Sequence, residues 1–348
     1  MSKKEPFTIE KISNRLDQSQ TEYLQKPKVS YALLTRLSVW LDTGIPQFKS
    51  DAAKIQLSKT APSGFEITGN DPPEELQLPE GYDYCWVRVF VKTRCHRTAV
   101  SLASKELEYF RAIWNLTLNV KKHSRTSIGG RPSHVNNVVL GPSDTIHFDD
   151  GSLVQNGVFW FRPSYRKPVF PKGVASYRSD LLDAKRMIQR KVKQMDKRFE
   201  SVFRETLRRY VTALDEPDMA TSFTCLWGAL EAITDTYRDK IVKRTLKICK
   251  SEELSYHKHF LDTCRGHRNT SVHASDGVPD SEVRVFRLKS YVERFLLFVL
   301  HNFDHFASFD DYVAFLDLSN YPSELKRKLD ITNFALRRRT KSKVRKKK

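Results

Sequence analysis

The chain has 348 residues, enough for two domains that each bury a core. A hydrophobic fraction of 39% with 11% aromatics excludes wholesale disorder, and no apolar run has the length that crossing a bilayer requires. A net charge of +19 and a pI near 9.7 predict a polyanionic partner, with RNA, DNA and an anionic membrane face as the candidates.

The opening from Met1 to Arg15 has no apolar stretch, so no signal peptide is expected. Five scattered cysteines (Cys85, Cys95, Cys225, Cys249 and Cys264) are odd in number and form no C-x-x-C pair. That predicts the reduced thiols of a cytoplasmic protein rather than a disulfide frame or a zinc site. No metal and no cofactor are expected.

Residues 1–172 predict an α+β domain with a sensing or targeting role. Leu33 to Trp40 and Phe65 to Thr68 read as short strands, and Ser58 to Gly81 otherwise as loop, punctuated by Pro62, Gly64, Pro72, Pro73 and Pro79. The clearest strand is Tyr84 to Lys92, rich in β-branched and aromatic residues. It leads to a helix from Ala99 to Leu118, where Leu102, Leu107, Phe110, Ile113 and Trp114 recur at helical spacing. Asn136 to Leu140, Thr145 to Phe148 and Val158 to Phe161 predict further strands, and Pro163, Pro168, Pro171 and Gly173 a linker. Arg94, His96 and Arg97, between strand and helix, have the charge to hold a phosphate but read as a solvated loop. Gly129-Gly130-Arg131-Pro132 lacks the strand before and helix after that a phosphate-binding loop needs, so no nucleotide-triphosphate site is expected.

Residues 176–307 predict an all-α helical bundle. Its helices are expected at Asp180 to Leu214, Met219 to Tyr237 and Ser281 to Phe306, with stripes of apolar residues three and four apart, and, as a less regular pair, at Lys240 to Ile248 and Glu252 to Cys264. Residues 308–348 are expected to form short helices and a disordered basic tail. Nine of the last twelve residues are Lys or Arg, which suits salt-dependent affinity for nucleic acid as well as a solubilising role.

Between the last two predicted bundle helices lies a polar stretch, Cys264-Arg265-Gly266-His267-Arg268-Asn269-Thr270-Ser271-Val272-His273-Ala274-Ser275, read as a connection. Arg268 offers a permanent planar fork to phosphate oxygens, and His273 can take and return a proton near neutral pH. Asn269 is placed to orient His273 or to donate to phosphate, and Arg265 and His267 are secondary phosphate-binding candidates. Residues five apart on one continuous helix point about 140° from each other, so Arg268 and His273 can share a phosphate only across a helix end or tight turn. Arg294 and His301 form a second Arg-to-His spacing, but amid Phe295 to Leu300 they read as structural.

The order Leu226-Trp227-Gly228-Ala229-Leu230-Glu231 on one helix, then Arg268-Asn269-Thr270-Ser271-Val272-His273-Ala274 ahead of a long apolar helix, resembles the HEPN superfamily, and within it the Apea-like branch. The resemblance covers about residues 178–306 and rests on an arginine, a polar residue, three others, a histidine and a small residue. It implies a metal-independent endoribonuclease that works as a homodimer, with Arg268, Asn269 and His273 catalytic, in a bacterial toxin or anti-phage defence system with an antitoxin or phage trigger as partner. The alternative it leaves open is a non-catalytic HEPN module that binds nucleic acid or a nucleotide. Glu231 is a candidate to face the Arg268 guanidinium across the bundle; the other reading is a surface glutamate.

Overall fold

The computed structural model describes residues 9–39, 47–65, 84–120, 135–154, 160–162, 178–236, 240–271 and 281–345. The architecture is mixed, an antiparallel sheet with helices in the N-terminal part and helices throughout the C-terminal part. The chain divides into two compact units, the first Met1–Asn119 with Ser127–Ala184 and the second Val120–Thr126 with Lys185–Lys348.

The first unit opens with α1 (Ile9–Gln25) and continues into β1 (Val29–Leu37), β2 (Gln47–Lys49), β3 (Ala53–Ser58), β4 (Cys85–Thr93), α2 (His96–Asn119), β5 (Ser143–Phe148) and β6 (Trp160–Phe161). The strands form one antiparallel sheet in the order β2-β3-β4-β1-β5-β6. Period-two alternation sends Ile55, Leu57, Val87, Val89, Leu33 and Leu37 to one face, where they pack with Ala103, Leu107, Phe110 and Trp114 of α2. Phe48 joins this core from β2, its ring 4.2 Å from that of Phe110. The strand Tyr84 to Lys92 and the helix Ala99 to Leu118 are thus found with shifted ends.

Three expectations for this unit need correction. The first strand is Val29–Leu37, because its pairing partner β4 sets its length residue by residue from Val29 opposite Thr93 to Leu37 opposite Cys85. Ala53–Ser58 is a strand that the weak apolar content of Ala-Lys-Ile-Gln-Leu-Ser hid, while Phe65 belongs to no strand; the rest of the Phe65 to Thr68 prediction lies outside the described residues. Asn136 to Leu140 is irregular apart from one bridge between Leu37 and Leu140. Side chains occupy its backbone groups instead. Asn115 Oδ1 accepts from the amides of Asn137 and Val138, and Arg111 and Asn115 both donate to the Val138 carbonyl. Arg94 donates to the Leu24 carbonyl, and His96 and Arg97 open α2. The Gly129 to Pro132 turn and the proline-rich linker lie outside the described residues.

From α3 (Arg178–Val192) onward the elements are helical. They are α4 (Lys197–Asp215), α5 (Met219–Ile233), α6 (Lys240–Thr245), α7 (Leu254–Ser271), α8 (Ser281–Asn302), α9 (Phe309–Asp317) and α10 (Pro322–Arg345). Helices α4, α5 and α8 pack together through Phe203, Leu207, Leu226, Leu230, Val292 and Phe295, all buried. Among the described residues no helix is long and apolar enough to cross a membrane.

The single helix expected from Asp180 to Leu214 is two. Asp196 interrupts it as an N-cap, its carboxylate accepting from the amides of Arg198 and Phe199. Asp218 caps α5 in the same way, through Ala220 and Thr221. That helix stops at Ile233, short of the predicted Tyr237, which lies outside the described residues; Asp235 takes a left-handed φ of 49°. The tail expected to be disordered is helical as far as Arg345, and Lys326 to Arg339 is exposed throughout.

Candidate functional site

The polar stretch expected as a connection is helical from Cys264 to Ser271, forming the last two turns of α7. The correction has a simple cause. His257, Leu261 and Cys264 form a buried stripe at spacings of four and three, and that stripe carries the helix on into polar sequence. Arg268, four residues beyond Cys264, prolongs this inward stripe and is half-buried. Val272 to Asp280 lie outside the described residues, so His273 does too; Asn269 lies on α7, its side chain outside the description.

Arg268 faces Glu231 of α5, with guanidinium Nη2 3.6 Å from Oε1. Glu231 is buried, and its Oε1 also accepts from the indole N–H of Trp227 at 3.0 Å. Burial pushes the Glu231 carboxyl up, while the Arg268 guanidinium and the Trp227 N–H pull the other way. At 3.6 Å the Arg268 contact is an ion pair longer than a hydrogen bond. Arg209 of α4 completes the surroundings, donating to the Gly228 carbonyl at 3.1 Å and pairing with Glu205 at 2.9 Å. The Leu-Trp-Gly-Ala-Leu-Glu box and the arginine of the polar stretch therefore meet.

The secondary candidates are engaged elsewhere. Arg265 pairs with Asp262 on its own helix at 3.2 Å. The Nε2 of His267 contacts the Arg284 guanidinium of α8. Burial and that neighbouring cation lower the His267 pKa, which favours neutral imidazole and weakens any attraction it has for phosphate. Of the second Arg-to-His pair, Arg294 is exposed and the Nδ1 of His301 bonds to the Leu297 carbonyl at 2.7 Å, an arrangement within α8 itself.

Two features escaped the sequence reading. Trp227 as a donor to Glu231 was open to it, because the two stand four apart on a helix. Arg284 was not, since no local spacing links it to His267. Among the described residues no group of three or more His, Cys, Asp or Glu is placed to hold a metal ion. No family model, curated protein or solved structure matches the chain.

Proposed function

We propose that the C-terminal unit is a HEPN-type endoribonuclease that cleaves RNA without a metal, as a homodimer, in a bacterial toxin or anti-phage defence role. The observation that carries this reading is the Arg268 guanidinium held beside Glu231 and Trp227 at the end of α7, directly ahead of Asn269 and His273 in sequence. Arg268 grips the non-bridging oxygens of the scissile phosphate and stabilises the charge that grows on them in the transition state. His273 removes the proton of the 2′-hydroxyl, whose oxygen attacks phosphorus. The departing 5′-oxygen takes a proton from His273 of the second copy, leaving a 2′,3′-cyclic phosphate and a 5′-hydroxyl. Asn269 orients His273 or donates to phosphate.

The test is incubation of total RNA in EDTA with the wild-type protein and with an Arg268→Ala/His273→Ala variant. Cleavage by the wild type alone is expected. Inactivity of both favours the non-catalytic module.

Basic residues of α10 supply the sequence-independent part of RNA affinity in this proposal. Removing Arg337 to Lys348 is expected to weaken binding, flatten its dependence on salt and leave single-turnover cleavage at saturating RNA unchanged. Loss of turnover at saturation would place the helix in the active site and overturn the division of labour.

A further inference from the structure

The face of the N-terminal sheet opposite α2 is not a plain polar surface. Pairing fixes which side chains share it. One row across the strands reads Lys49, Lys54, Phe90, Ala32 and His147, the next Gln47, Gln56, Arg88, Leu34 and Thr145, and a third Ser58, Trp86 and Arg36. Lys92 follows on β4. Five of these residues are cations, and none of the strand residues on this face is acidic.

Aromatic rings stand among the cations. The Arg36 guanidinium lies 4.0 Å from the Trp86 ring centre. Arg88 sits between Phe90, at 5.9 Å, and Phe65, at 5.6 Å, which reaches over the face from the turn after β3 and meets the His147 ring edge-on. Trp86, Arg88 and Phe90 are half-buried, and Lys49 and Lys92 exposed. The Arg88 Nε is buried without a hydrogen-bond partner among the described residues. The main core lies on the other face, and on this one Ala32, Leu34 and His147 are buried as well, so the accessible part is that of β2, β3 and β4.

We propose that this face is a platform for single-stranded nucleic acid. Trp86 and Phe90 stand four residues apart on one strand, about 13 Å, with a guanidinium midway. That spacing seats two unstacked bases on the rings with the phosphate between them near Arg88, while Lys49, Lys54 and Lys92 follow the backbone outward. The charge pattern selects a polyanion, and the rings select one whose bases are free to stack. A duplex keeps its bases stacked on each other and gains only from the lysines. The proposal is independent of the nuclease reading, since every residue it uses belongs to the first unit.

The test measures fluorescence anisotropy of a labelled homopolymeric RNA of about 16 nucleotides, single-stranded or annealed to its complement, with the full chain in a His273→Ala background so that no probe is consumed. Trp86→Leu and Phe90→Leu keep apolar bulk but remove the stacking face. Each is expected to weaken single-strand binding about tenfold or more while leaving duplex binding and the melting temperature unchanged. Lys49→Gln/Lys92→Gln is expected to lower the slope of log affinity against log salt by about 1.4. Folded leucine variants that bind the single strand like the parent overturn the proposal, as does duplex binding equal to single-strand binding. Single-strand binding lost in the leucine variants supports it even if the wild-type chain cleaves no RNA in EDTA, an outcome that counts against the nuclease alone.

Discussion

Replacing His273 by alanine is expected to slow RNA cleavage by about two to four orders of magnitude, the scale on which general acid–base help is lost. RNA affinity is expected to fall far less than the rate, because Arg268, rather than the proton-transferring imidazole, holds the phosphate in the proposed site. Arg268→Ala is expected to cost both affinity and rate, and Arg268→Lys to restore only part of either, since lysine has no bidentate fork. Single-turnover cleavage beside a thermal melt separates this from a packing role. In a packing role, His273→Ala lowers the melting temperature and reduces the rate only in proportion to the unfolded fraction. Wild-type cleavage after that correction would overturn the nuclease reading.

The largest effect on stability is expected at Glu293. On α8, Lys289 and Glu293 are one turn apart, 1% and 4% exposed, and pair at 2.8 Å. Tyr210 of α4 donates its hydroxyl to the same Glu293 oxygen. Burial pushes the Glu293 carboxyl up and the Lys289 ammonium down, and each partner opposes the other's shift. Glu293→Ala takes the carboxylate from a buried ammonium and the acceptor from a buried hydroxyl, at a cost of about 3–5 kcal/mol. Urea unfolding of the bundle reads this directly. The double variant Lys289→Met/Glu293→Leu is expected to recover most of the loss, because an apolar pair of similar volume needs no charge compensation. A double variant as unstable as Glu293→Ala would mean that lost shape, not stranded charge, sets the cost.

The sequence displayed some of these elements because they carry their own periodicity. Val87, Val89 and Val91 alternate, and Leu107, Phe110 and Trp114 step by three and four; both patterns became the elements they suggested. Where an end is set by a partner, the pattern misled. The limits of β1 come from β4, and the irregular path of Val135 to Leu140 comes from Asn115 and Arg111, more than twenty residues earlier. The break at Asp196 was legible as a capping residue but lay hidden in a continuous apolar stripe. At the candidate site, the facing of Glu231 and Arg268 was within reach of the sequence, since a glutamate closing an apolar box has few buried partners to choose from. The capture of His267 by Arg284 was not, because only the packing of α7 on α8 creates it.

Arg244 spends its whole guanidinium at the root of α10. Its Nε and Nη2 bond to the Asp317 carboxylate, both at 2.8 Å, and its Nη1 to the carbonyls of Thr234 and Asp235. Lys243 donates to the Asp317 carbonyl, and Lys247 to those of Leu318 and Ser319. The Arg244 guanidinium, with Lys240 beside it, holds the Asp317 pKa down to about 2, and these bonds together fix the few residues from which α10 departs. The 24 residues that follow, about 36 Å of helix, therefore behave as a mast stepped in a rigid deck rather than as a rope. A rope of the same charge would sweep a sphere and meet a strand from any side. A mast offers its positive charge along a single line, so an RNA strand engaging it, as the proposed function has it, would arrive already aligned, and a glycine pair inserted at Ser319-Asn320 would lose that alignment while preserving every charge.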